Sequence, residues 1–386
     1  MNLCFVSYRT FEDGPVKVPF PENDPANIAY ATGGSYLSYY SLRRLNDQEL
    51  ERLLAPYDPV VVTLDAVDIR LGRRLIRAAA ERAVGYSEGH IGDYQRLSPL
   101  EQTIFVEAVR AARVNLLYWE RYVPFYQALG PAPVEYLPYP YPLDLARERA
   151  QSPSERQSLA VLPTGLAGGT RNGLANLLVA QRLLEVQAID NMLICMDADT
   201  MAADIAAVQN LLYGTAMSAP RPSLWRRLLA SLPIDYRPML RWRDRLRPSG
   251  AMPRSSLLEP NPGLRVLRRT GWLTYLQAIA PARLMLDLNN RETVGRNALD
   301  CAALGIPCVG TNRSDLQAKL FPLTTVQDPW DVKGALALSE RLLSEPGFWK
   351  QVVNLAAERI VAYDVEPFRQ RFAQIATRYG LGQANR

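Results

Sequence analysis

Short apolar runs alternate with segments of helical spacing along the first part of the chain. "NLCFVSY" reads as a strand, "SYLSYYSLRRL" sets apolar and aromatic residues at helical spacing, and "PVVVTL" is a buried strand opening after Asp58-Pro59. "LGRRLIRAAAERA" and "LEQTIFVEAVRAA" read as helices, "AVGYSE" and "VNLLYW" as strands, and "VEYLPYPYP" ends this half. Such alternation predicts a parallel sheet covered on both faces. A polar, charged segment, "DLARERAQSPSERQS", then breaks the pattern and reads as a linker. A second alternation follows, with strands "LAVLPT", "NMLICMD", "RLMLDL" and "IPCVGT" and helices "NGLANLLVAQRLLEV", "ADIAAVQNLLY" and "LTYLQAIAPA". The tail "PFRQRFAQIATRYG" is an amphipathic helix. Two successive α/β halves place the C-terminal ends of their strands at a cleft, where open α/β sheets bind ligands.

Composition narrows the function classes. The 386 residues exceed one typical core and suggest about two domains. No apolar run is long enough to span a membrane, and "MNLCFVSYRT" reads as a first strand rather than a signal peptide. Cys4, Cys195, Cys301 and Cys308 are scattered without CxxC spacing, as expected of buried, reduced thiols in a cytoplasmic protein. His90 is the only histidine, which excludes His-rich zinc sites. The net charge is +5, and every basic residue except Lys17, Lys319, Lys333 and Lys350 is Arg. Arginine favours planar, bidentate contacts with phosphate or carboxylate.

One stretch concentrates the candidate chemistry: "ETVGRNALDCAALGIPCVGT", from Glu292 to Thr311. The strand "RLMLDL" delivers it to the cleft, and Gly305 with Pro307 behind it marks the end of its helix. Gly295 then lies at a helix N-terminus, where backbone N–H groups and the helix dipole attract an anion and a glycine permits close approach. Arg296 in the same turn adds a charge-assisted bond. Glu292 precedes the helix, and Asp300 lies about one and a half turns into it. One carboxylate is placed for sugar hydroxyls and the other for a ribose. Ordinary helix-to-strand packing accounts equally well for "AALGIPCVG".

The stretch resembles the donor-site motif of retaining, nucleotide-sugar-dependent glycosyltransferases of the GT-B fold. That motif is Glu, seven residues, then Glu, with Gly three places after the first acid and an "A-x-G-x-P-V" ending. Asp300 departs from it, being one methylene shorter. More weakly, "VLPTGLAGGTRNGLANLLVAQRLLE" is similar to the first strand and helix of the family's donor domain, with Arg171 in the place of a phosphate-binding basic residue. "ATGGSYLSYYSLRRL" resembles its Gly-rich loop and first helix, with Gly33 and Gly34 near the phosphates. The resemblance implies α/β architecture of the GT-B type, two Rossmann-like parallel-sheet domains facing a cleft. Residues 1–150 would form the acceptor domain, residues 151–362 the donor domain, and residues 363–386 a helix returning to the first.

The implied activity is transfer from a UDP-sugar or GDP-sugar to a hydroxyl acceptor, a glycan, lipid or small molecule, with retention. No cofactor is expected. Arg171, Arg296 and the amides around Gly295 would stabilise the leaving diphosphate, leaving no need for a metal. "DAD" at Asp197–Asp199 offers two acids without further metal ligands. The resemblance assigns Glu292 and His90 to catalysis and adds Thr293 and Val294 to the donor contacts; Glu88 and Asp93, close to His90 in "YSEGHIGDY", are read as acting on the acceptor. Asp65 and Asp68 end a strand and are placed for an acceptor.

Residues 221–254 carry nine arginines, with Trp225, Tyr236 and Trp242 interleaved. This reads as a solvated segment, or as an acceptor or polyanion surface through Arg226, Trp242 and Arg243. Membrane lipid or nucleic acid would also suit it. The alternatives are a DNA-modifying glucosyltransferase and, because of Asp300 and the lack of an Arg near Gly165, a non-catalytic binder of sugar nucleotides or glycans.

Overall fold

A computed structural model describes residues 2–7, 16–17, 24–66, 68–87, 91–162, 172–196, 202–213, 257–261, 263–268 and 270–382. The first sheet contains β1 (Cys4–Ser7), β2 (Val16–Lys17), β3 (Ser35–Ser38), β4 (Val60–Thr63), β5 (Ala83–Ser87), β6 (Val114–Leu117) and β7 (Val134–Tyr136). Their spatial order is β2-β3-β1-β4-β5-β6-β7. The second contains β8 (Leu159–Leu162), β9 (Asn191–Met196), β10 (Leu257–Asn261), β11 (Leu264–Arg268), β12 (Leu284–Asp287), β13 (Cys308–Thr311) and β14 (Thr325–Val326). Its order is β10-β11-β9-β8-β12-β13-β14. Pairing is parallel except where β2 and β10 add antiparallel edges.

Excluding the edge β10, the second sheet follows the doubly wound order 3-2-1-4-5-6. The chain reverses direction between β8 and β12, and β1 plays the same part in the first sheet. The central strands are buried on both faces, which explains their unbroken apolar runs.

The first sheet has a core on each side. One face packs beneath the helices Ile69–Ala79 and Pro99–Ala111. On the other, Phe5, Tyr36, Val61 and Val84 meet Phe368, Phe372 and Ile375 of the helix Val365–Arg378. A buried Glu135 on β7 secures that helix by accepting from Arg378 and from Tyr379 Oη at 2.9 Å.

One expectation needs correction. "SYLSYYSLRRL" is not one helix: Ser35–Ser38 form β3 and only Tyr39–Leu42 are helical. The four strand residues are buried, so nothing in their polarity marks a strand. The polar segment lies between the two sheets; it overlaps the helix Leu143–Arg147, and Arg156 donates to the carbonyls of Ala280, Ala282 and Leu304 at 3.2, 2.8 and 2.5 Å.

Candidate functional site

Two helices begin at the reversal point of the second sheet. Gly173–Glu185 follows β8 and starts from Asn172, a non-glycine residue in the left-handed conformation at φ 49°. Arg296–Leu304 follows β12 and starts from Gly295 at φ 80°. Among the described residues, no side chain caps either N-terminus. Asn46, Asp68, Ser98, Ser314, Asp331 and Asp364 cap other helices, whereas the helices Trp272–Ile279 and Pro346–Arg359 also start without a side-chain cap. Since β8 and β12 are parallel neighbours, the two positive helix ends open at the same edge of the sheet.

Gly295 is required by space as well as by φ. A Cβ there would overlap Ser314 Oγ. Beside it, Thr293 and Val294 are used through their backbone. Thr293 N–H donates to Arg313 O, and their carbonyls accept from Asp315 and Leu316 N–H at 3.0 and 2.9 Å. The Val294 side chain packs against the core of the second half and against that of the first.

Glu292 lies where the halves meet. Tyr122 Oη donates to its Oε2, and Arg121 and Arg313 face its Oε1 at 3.7 and 3.9 Å. Arg121 also approaches Asp315 at 3.4 Å, Lys319 pairs with Glu120 at 3.0 Å, and Arg291 pairs with Asp93. The turns after β6 and β13 therefore converge on the carboxylate carried by the turn after β12. Tyr122 and Arg121 had no signal in the sequence; only the fold brings them across 170 residues.

Asp300 is elsewhere. Its buried carboxylate turns to Tyr141 Oη at 2.8 Å and to Trp272 Nε1 at 2.9 Å. Burial pushes its pKa up to about 6, against the pull of those two donors and of Arg296.

Gly33 and Gly34 are a correction. They form the turn between the helix Asp24–Thr32 and β3, and Gly34 N–H donates to Ala29 O. This turn is at the N-terminal edge of the parallel strands, beside Leu3, opposite to the end that bears Glu292. Asp68 caps the helix Ile69–Ala79 and pairs with Arg43 at 2.6 Å. His90, Glu88, Arg171, Arg226, Trp242, Arg243 and Asp197–Asp199 lie outside the described residues. Among the described residues, no group of three or more His, Cys, Asp or Glu is placed to hold a metal, and no helix is long and apolar enough to cross a membrane.

No protein-family model and no curated protein matches the chain. Solved structures do. The UDP-forming α,α-trehalose-phosphate synthase from Burkholderia xenovorans, in complex with glucose-6-phosphate, is similar over 98% of this chain and 100% of its own. The identity is 12% and the TM-score 0.62. The trehalose-6-phosphate protein from E. coli bound with UDP-2-fluoro glucose covers 97% of this chain and 98% of its own, at 13% identity and TM-score 0.60. A trehalose-6-phosphate synthase studied with bisubstrate glycomimetics, for glycosyl transfer with retention, covers 98% of this chain and 99% of its own. It has 13% identity and a TM-score of 0.59. With two doubly wound sheets and near-complete overlap with these proteins, the chain has the GT-B fold.

Proposed function

We propose that the chain is a glycosyltransferase that moves a sugar from a nucleoside-diphosphate sugar to a small hydroxyl acceptor, with retention at the anomeric carbon. The observation that carries this reading is the pair of helix N-termini, at Gly173 and Arg296, that open at the same edge of the second sheet, at its reversal point, with no side-chain cap among the described residues. A diphosphate suits that place, because the developing negative charge meets backbone N–H groups already oriented. Arg296 and Arg171 supply further positive charge, so no metal enters the scheme.

In this scheme the bond from the anomeric carbon to the diphosphate breaks with its electron pair on the phosphate. The acceptor oxygen bonds to the same face of that carbon, and its proton passes to the departing diphosphate. Glu292 holds hydroxyls of the transferred sugar, with His90, Glu88 and Asp93 from the opposite half around the acceptor. Two buried hydroxyls without partners among the described residues, Ser7 Oγ and Thr63 Oγ1, end the adjacent strands β1 and β4 and belong to that side. The ligands of the similar structures make a UDP-sugar the first donor to test and a sugar phosphate the first acceptor. The four buried thiols go with a cytoplasmic site of action.

A thermal-shift screen of UDP-, GDP-, ADP- and CMP-sugars tests this directly, since a ligand bound by the folded chain alone raises its melting temperature. At least one class should raise it by several degrees at millimolar concentration. No shift with any of them would overturn the proposal.

A further inference from the structure

We infer that Tyr122 is a positioning residue that holds the Glu292 carboxylate in place for the donor sugar, so that the acid of the second half is aligned by the first half. This rests on the role given to Glu292 above. The geometry is specific. Tyr122 Oη donates to Glu292 Oε2 and accepts from the backbone N–H of Ile91 at the start of the helix Ile91–Tyr94. Trp119 stacks on the Tyr122 ring at 5.0 Å between centroids and 21° between planes, fixing the ring.

The two carboxylate oxygens meet different partners. Oε2 faces a neutral hydroxyl, whereas Oε1 faces the guanidinium groups of Arg121 and Arg313. Burial, and Glu292 itself, push the Tyr122 hydroxyl far above its ordinary pKa, so it remains a donor throughout the neutral range. Glu292 keeps 28% of its side-chain surface exposed, leaving an edge for a ligand. A carboxylate fixed in this way is oriented before the sugar arrives. Glu120–Lys319 and Asp93–Arg291 hold the flanking turns across the same junction.

The test compares the parent chain with Y122F, E292Q and the double variant, using UDP-glucose and the other sugar nucleotides as donor probes and glucose-6-phosphate as acceptor. Y122F should lower kcat about 10-fold while leaving donor KM within about twofold, because a misaligned group acts on the reacting geometry. In the double variant the loss should not exceed that of E292Q alone, since Tyr122 works through Glu292. A merely structural tyrosine would lower the melting temperature and add its loss to that of E292Q. Additive losses, or an unchanged kcat in Y122F, would overturn the inference while leaving the glycosyltransferase reading intact. Should Y122F melt well below the parent, E292D provides the second comparison, and Y122F should add nothing to its effect on kcat. Parental activity in E292Q would instead remove the role of Glu292, and absence of turnover of every sugar nucleotide by the parent would remove the glycosyltransferase reading. The inference falls with either.

Discussion

Tyr141 donates a 2.8 Å hydrogen bond to Asp300, joining the segment that leaves the first sheet to the helix that opens at Gly295. Tyr141 N–H also donates to Tyr363 O at 2.7 Å, where the chain returns towards the first half. Asp300 is thus built into the place where both crossings between the halves meet.

The sign of its pH effect follows. Its folded pKa of about 6 exceeds the ordinary value for Asp, so the folded chain binds this proton more tightly than the unfolded chain does. The contribution is fully present below about pH 4 and is lost as pH rises through about 6. The loss approaches about 3 kcal/mol. Asp300→Asn should abolish it, making the stability difference between variant and parent grow from pH 4 to pH 7. Urea unfolding of both at several pH values measures this; a difference independent of pH would sink the prediction.

Gly295→Ala combines two penalties. It places a side chain at φ 80° and drives its Cβ into Ser314 Oγ, the cap of the helix Asp315–Leu320. We expect a loss of at least about 2 kcal/mol in stability and a marked weakening of sugar-nucleotide affinity. Calorimetry and thermal unfolding would check both effects, and a variant matching the parent in each would contradict the geometry.

Glu135→Ala should loosen the helix Val365–Arg378. It leaves Tyr379 Oη and Arg378 without their shared acceptor and Arg371 without an ion pair at 3.7 Å. Removing one partner of such a group costs about 3 kcal/mol where it is buried; with the arginines largely exposed, about 1–2 kcal/mol is expected. Limited proteolysis should then cut near residue 364 faster than in the parent. Equal cleavage rates would show that the apolar contacts suffice.

Much of the architecture is written in short-range pattern. "PVVVTL", "AVGYSE", "LAVLPT" and "RLMLDL" are apolar runs of strand length, and each contains a strand of the two sheets. Pattern fails where burial removes it. Ser35–Ser38 carry Tyr and Leu among serines, which suits a helix face as well as a strand buried on both sides. Gly33 and Gly34 look like a phosphate loop until the register with β1 puts them at the far edge of the sheet. At the candidate site, spacing locates Glu292, Gly295 and Asp300 along the chain but not what they face. Tyr122 and Arg121 meet Glu292, and Tyr141 meets Asp300, only through the juxtaposition of the two halves.

The docking of the helix Val365–Arg378 on the first sheet also orders the chain's biosynthesis. Glu135 and Arg378 are 243 positions apart, so the face lined by Phe5, Val61 and Val84 stays open until the whole second half has left the ribosome. The half that is made first is therefore the half that is finished last, and an exposed apolar face during synthesis is where a chaperone would act.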